Sequence, residues 1–263
     1  MSEYRPSADD LPRVEAGDTL TFDREGGGEQ GVIVESAEWI GEGAFGVIYH
    51  VRCRVAEILG GGEAGQRSAV RDCVMKCFLL RGDALRAQRN HELLRRNALP
   101  VFPTYQRETS PMKEIIMMPD GNADGVLTVS QNSSLARGEL ERQPLTEIDN
   151  FTPLLAEIAS HICMASHFGI SLPFDAYFFF VRRQGSGASV GFSFDDTDNV
   201  EQHAFVGRFL VAENVRGAID ALRCFLSYAV TPEKMTEYMA SASAFLEERG
   251  REILAEISRA DEC

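Results

Sequence analysis

The chain has 263 residues, of which 44% are hydrophobic and 25% charged, ordinary values for a globular protein long enough for one large domain or two small lobes. A formal net charge of -14 argues against a duplex nucleic-acid binder, which needs a basic surface, and reads as a solubility feature. No stretch is apolar for long enough to span a membrane, and the polar opening M-S-E-Y-R-P-S-A-D-D is no signal peptide, so a cytoplasmic protein without a membrane partner is expected.

Residues 1 to about 30 are polar, acidic and broken by Pro6, Pro12 and Gly26-Gly27-Gly28, which predicts a flexible segment or an edge elaboration. Leu20-Thr21-Phe22 and Val32-Ile33-Val34 fit short strands. Then comes W-I-G-E-G-A-F-G-V-I-Y-H-V, in which Gly41, Gly43 and Gly46 make G-x-G-x-x-G between two branched, aromatic runs. A dinucleotide site needs a helix straight after such glycines, whereas V-I-Y-H-V-R-C reads as a second strand. The next strand, R-D-C-V-M-K-C-F-L-L, has one cation in its middle, Lys76; alternation puts Val74 and Lys76 on one face and Cys73, Met75 and Cys77 on the other. Residues 83–97 have helical spacing, with Glu92 sharing a face with Leu85 and Gln88.

Two strands are expected around F-P-T-Y-Q-R and K-E-I-I-M-M, joined at Glu108-Thr109-Ser110-Pro111. The polar stretch from Pro119 to about Glu141 reads as a linker, where composition turns from strand-rich to helix-rich. A long amphipathic helix is predicted from Leu145 to His167, then a short loop, G-I-S-L-P-F-D, and a buried strand, A-Y-F-F-F-V. V-G-F-S-F follows and ends in Asp195-Asp196-Thr197-Asp198; beyond about Val200 the chain reads as helices. The six cysteines include no C-x-x-C pair, and the five histidines have no metal-ligand spacing, so buried reduced thiols are expected.

Taken together, these parts resemble the protein-kinase family, in the order glycine hairpin, strand lysine, acid-bearing helix, hinge, helix, loop and acid-ended strand pair. G-E-G-A-F-G-V-I-Y is close to that family's glycine loop, and C-V-M-K is similar to its V-A-I-K strand. The resemblance implies an α+β, two-lobed kinase-like fold: a flexible segment over 1–30, an antiparallel β-rich N-lobe over 31–120 and a reduced, mostly helical C-lobe over 121–263. It implies Mg2+ and ATP as cofactors. Gly41, Gly43 and Gly46 would cover the phosphates, and Lys76, paired with Glu92, would hold them. Ile40, Ile48 and Val74 would lie over adenine, with Met118 near the hinge. Pro173-Phe174-Asp175 is similar to the P-x-N end of the family's catalytic loop. Asp175 with Asp195 or Asp196 would hold Mg2+, and Asp175 is the remaining candidate for a catalytic acid–base group. Counting back five from Asp175 gives Ile170 where the family has its catalytic aspartate, and no A-P-E segment is recognisable. The resemblance thus implies an atypical phosphotransferase acting on a protein, or else a pseudokinase that binds nucleotide or docks a protein partner.

Overall fold

Alternating apolar residues between glycine-rich breaks build the strands of this α+β protein. The structure, a computed structural model, describes residues 13–23, 29–43, 45–56, 69–102, 106–107, 115–119, 125–130, 134–185, 187–204 and 207–260. It divides into two units, one of residues 1–89 and 102–120, the other of 90–101 and 121–263. The glycines at 26–28 and 60–66, the turn at 108–111, Asp120 to Asn122 and Cys263 lie outside the described residues.

The first unit is a six-stranded antiparallel sheet of β1 (Thr19–Asp23), β2 (Glu29–Gly43), β3 (Gly46–Ala56), β4 (Ala69–Phe78), β5 (Gln106–Arg107) and β6 (Ile115–Pro119), in the order β1-β2-β3-β4-β6-β5. Leu20 and Phe22 alternate inward from the edge strand and join Val32, Val34, Val51 and Met75 in one core. Part of the segment expected to be flexible is therefore built into the sheet; burying a side chain such as Phe22 stabilises by about 1.5–3 kcal/mol, enough to hold an edge strand. On the opposite face Phe78 packs with Ala84 and Ala87 of α1 (Arg81–Arg96).

The second unit holds a three-stranded antiparallel sheet of β7 (Val126–Val129), β9 (Tyr177–Gln184) and β10 (Gly187–Phe194), in the order β10-β9-β7. A small pair joins β8 (Ile170–Ser171) to β11 (Glu201–Gln202). Its helices are α2 (Ser134–Arg142), α3 (Phe151–His167), α4 (Arg208–Ala229) and α5 (Pro232–Ala260), together with residues 90–96 of α1. Leu154, Ile158 and Ile162 of α3 meet Tyr177 and Phe179 of β9 and Leu222 and Phe225 of α4 in one core. There Phe179 stacks on Phe225 at a centroid distance of 4.6 Å. No helix among the described residues is long and apolar enough to cross a membrane.

Three expectations change. The stretch expected to be a linker contains β7, which pairs with β9, and α2, whose Ala136 and Leu140 are spaced four apart and buried. The helix expected from Leu145 begins at Phe151, because Leu145 and Ile148 make single bridges to Val230 and Ala188 instead. Residues 201–202, read as helical, form a strand because 170–171 supply a partner edge.

Candidate functional site

In the first unit, strand register gathers the candidate residues. Gly41 pairs with Ile48 across the β2–β3 hairpin, Ile48 pairs with Lys76, and Lys76 pairs with Ile116, so the four fall in one row across the sheet. In the neighbouring row Val74 pairs with Met118. The pleat sends Cys73, Met75 and Cys77 into the core. Lys76 lies on the face that carries Phe78, 8% exposed, with its Nζ 5.2 Å from the centre of the Phe78 ring. A ring face attracts a cation, which offsets part of the cost of burying an ammonium. Ile40 is the extra residue of a β-bulge between Trp39 and Gly41, and Gly43 pairs with Gly46 beside the turn.

The glycines differ in what the fold demands of them. A Cβ on Gly46 would lie 2.0 Å from the Cys77 carbonyl oxygen, so β4 itself requires glycine there. At Gly41 an added Cβ would meet nothing within 4 Å, and the backbone is not left-handed. Neither packing nor conformation accounts for that glycine.

Lys76 belongs to the first unit and Glu92 to the second. The buried stripe of α1 is Ala84, Ala87, His91 and Leu94, and Glu92 lies beside it, its side chain 33% exposed. The Arg95 Nε donates to Glu92 Oε2 at 3.0 Å and the Arg96 Nε to Oε1 at 2.6 Å. These hydrogen bonds hold the Glu92 carboxyl below its ordinary 4.5. A depressed carboxylate stabilises the fold above its unfolded value and loses that contribution as pH falls through its folded value. Solvent screening limits the contribution to under about 1 kcal/mol. Glu92→Gln is therefore expected to lower the unfolding temperature slightly at pH 7 and to leave it unchanged near pH 2, and 1 M salt should shrink the pH 7 difference. An equal difference at both pH values would refute the pairing as its source.

In the second unit the acids meet at one end of the β9–β10 hairpin. Tyr177 pairs with Phe194, so the residues just before and just after these strands are neighbours, and the Asp195 amide donates to the Ala176 carbonyl at 3.0 Å. Asp175 sits in the 3-10 turn Phe174–Ala176. Its Oδ2 accepts from Asn199 Nδ2 at 2.9 Å; its Oδ1 is shut off from solvent and accepts no hydrogen bond from the described residues. Asp195 is buried and accepts from the Ser193 hydroxyl, whereas Asp196 is half-buried. Among the described residues no three His, Cys, Asp or Glu side chains gather to hold a metal ion by themselves. Mg2+ does not need three: it is commonly held by one or two carboxylates, with phosphate oxygens and water completing the shell. A carboxylate oxygen shut off from solvent and lacking a donor, next in sequence to the Ala176 carbonyl that the Asp195 amide bonds, offers one such ligand.

Three asparagines that the sequence reading did not single out hold these acids in place. Asn90 of α1 donates through Nδ2 to the carbonyls of Thr197 and Val200, at 2.7 and 2.8 Å. Asn199 holds Asp175. Asn214, fully buried on α4, accepts from the Leu172 amide at 2.7 Å and donates to the Ile170 carbonyl at 2.9 Å and the Ser166 hydroxyl at 3.1 Å. Gly217, one turn further on, lets α4 approach the same loop, since a Cβ would lie 2.4 Å from the Leu172 carbonyl. Asn214 carried a signal in the sequence, being a polar residue on the apolar stripe Val211, Val215, Ala218 and Leu222.

Ile170 is fully buried in β8 and offers no group that accepts a proton. A shallow depression beside this turn, lined by Val129, Phe174, Tyr177, Phe179 and Tyr228 among others, has no cationic side chain in its lining. No protein-family model matches the chain, and no curated protein matches it either.

Proposed function

We propose that this chain is a divergent member of the protein-kinase-like, two-lobed class, with a β-rich N-lobe and a reduced helical C-lobe, that binds Mg-ATP and transfers a phosphoryl group to a protein. The observation that carries this reading is the row Gly41–Ile48–Lys76, in which a glycine the fold does not need lies level with a buried cation. Glycine admits a phosphate to the backbone and lysine neutralises it; Ile40, Ile48 and Val74 offer apolar cover to a base, with Met118 next to Val74 in the ladder. Asp175 with Asp195 or Asp196 would hold Mg2+, which bridges phosphates and neutralises charge as it develops. Phosphoryl transfer depends chiefly on positioning and charge neutralisation, so a missing base slows the reaction rather than forbidding it. Lys76 enters this reading without Glu92, whose carboxylate is engaged by two arginines.

Ile170 favours a second reading, a pseudokinase that retains nucleotide but works by docking a partner. Incubation with γ-labelled or α-labelled ATP and Mg2+ separates the two. Transfer of the γ label by the wild type is expected, falling by about 10²-fold or more in Lys76→Ala and in the double variant Asp195→Ala/Asp196→Ala. ATP-dependent thermal stabilisation without transfer would select the second reading. If the wild type shows neither, both readings fail.

A further inference from the structure

Cys53 on β3 and Cys73 on β4 are both buried, and their sulfur atoms lie 3.6 Å apart. They are not directly opposed: Cys53 pairs with Arg71 and Cys73 with Val51, so the thiols meet on the diagonal of the ladder, on the core face. A disulfide needs about 2.05 Å between sulfurs, so the two atoms must close by roughly 1.5 Å. Cys163, by contrast, has its sulfur 3.5 Å from His167 Nδ1.

We propose that Cys53 and Cys73 form an oxidisable dithiol site that takes a peroxide as its reactant and closes to a reversible cross-strand disulfide. This inference is independent of nucleotide binding. Either thiol of this contact can be the donor; with Cys73 as the donor the two sulfurs take different roles. That bond lowers the Cys53 pKa and, together with burial, raises that of Cys73. Cys53 is therefore the nucleophile and Cys73 the resolving thiol. In the first step the Cys53 thiolate attacks one peroxide oxygen; an S–O bond forms, the O–O bond breaks, and the departing hydroxide is protonated to water. In the second step Cys73 gives up its proton and its sulfur attacks Cys53 Sγ. The S–S bond forms, the S–O bond breaks, and the second oxygen leaves as water. Two thiols have lost two electrons and two protons, and one hydrogen peroxide has become two waters.

The site has a mechanical consequence. Bridging a diagonal draws β3 and β4 together at a point three residues from Lys76 on β4. A thiol reductant restores the open ladder.

The test uses the full chain, reduced, freed of reductant and treated with a small excess of hydrogen peroxide. Alkylation under denaturing conditions is expected to show the loss of two of its six cysteines. Intact mass should fall by about 2 Da, with both changes reversed by dithiothreitol. Peptide mapping should find one cross-linked pair, containing Cys53 and Cys73. In Cys73→Ser a sulfenic-acid trap should label Cys53. Disulfides joining other cysteines or two chains would overturn the proposal, as would loss of the Cys163 and Cys224 thiols while Cys53 and Cys73 stay reduced, or no oxidation at all. The wild-type map decides even if a serine variant folds poorly, and a folded Cys73→Ser labelled elsewhere than Cys53 would overturn the assignment of the nucleophile.

Discussion

Asn214→Ala is expected to cost the second unit about 4 kcal/mol, against a total stability of about 5–15 kcal/mol for an ordinary domain. The side chain is fully buried and makes three hydrogen bonds, two of them to backbone groups of the chain from Ile170 to Leu172. Truncation leaves the Leu172 amide and the Ile170 carbonyl without that partner, at about 1–3 kcal/mol each, and adds a small cavity. Ser166→Ala removes only the third bond and should cost about 1 kcal/mol. Urea unfolding followed by circular dichroism compares the two. If the chain transfers a phosphoryl group as proposed, the Asn214 variant should also lose that transfer at temperatures where it remains folded, because the loop it pins leads directly into Asp175. A loss of stability below about 1 kcal/mol would mean that the loop is held by other groups and that Asn214 is incidental.

The strands of the first unit were legible because a period of two leaves few choices. Val74 and Lys76 had to share a face opposite Cys73, Met75 and Cys77, and the register agrees. The second unit was legible where apolar runs were long, as in Tyr177–Gln184, and not where elements were short. Two-residue strands such as Ile170–Ser171 have no periodicity to read and exist because a partner edge is present. The polar stretch around α2 and β7 hid structure because, among the described residues there, only Ala136, Leu140 and Val129 are buried. Leu145 and Ile148 had the spacing of a helix yet bridge to other strands and helix ends, a tertiary choice that local pattern does not express.

The candidate site divides in the same way. Lys76 stood out as a cation in the apolar middle of a strand. Glu92 was placed by spacing to Leu85 and Gln88, but the same spacing rule names Arg95 and Arg96 as its nearest cations at three and four residues on, and those are the groups that hold it. The asparagines escaped notice because their chemistry is long-range: Asn90 reaches Thr197, and Asn214 reaches Ile170. A buried amide has meaning only once its partner carbonyls are known.

Gly41→Ala and Gly46→Ala are expected to separate the two uses of glycine in this hairpin. At Gly46 the new methyl carbon would stand 2.0 Å from the Cys77 oxygen, 2.9 Å from its carbon and 3.1 Å from Phe78 Cα. These are backbone atoms and cannot rotate aside, so β3 and β4 must part where Gly46 pairs with Phe78. Overpacking of this kind costs about 3 kcal/mol, and the first unit should melt earlier whether or not ATP is present. At Gly41 nothing lies within 4 Å, so alanine should change stability by no more than about 0.5 kcal/mol. If the hairpin covers phosphates, the same methyl group should weaken ATP binding by about tenfold, roughly 1.4 kcal/mol, because it occupies space that the backbone leaves for the ligand. Thermal shift with and without ATP reads both effects in one experiment. A Gly41→Ala protein that is stable and binds ATP as well as the wild type would remove the glycine turn from the proposed site, whatever Lys76 does. A stable Gly46→Ala protein would show instead that the hairpin can shift away from β4, and that the row formed by Gly41, Ile48 and Lys76 is looser than its register implies.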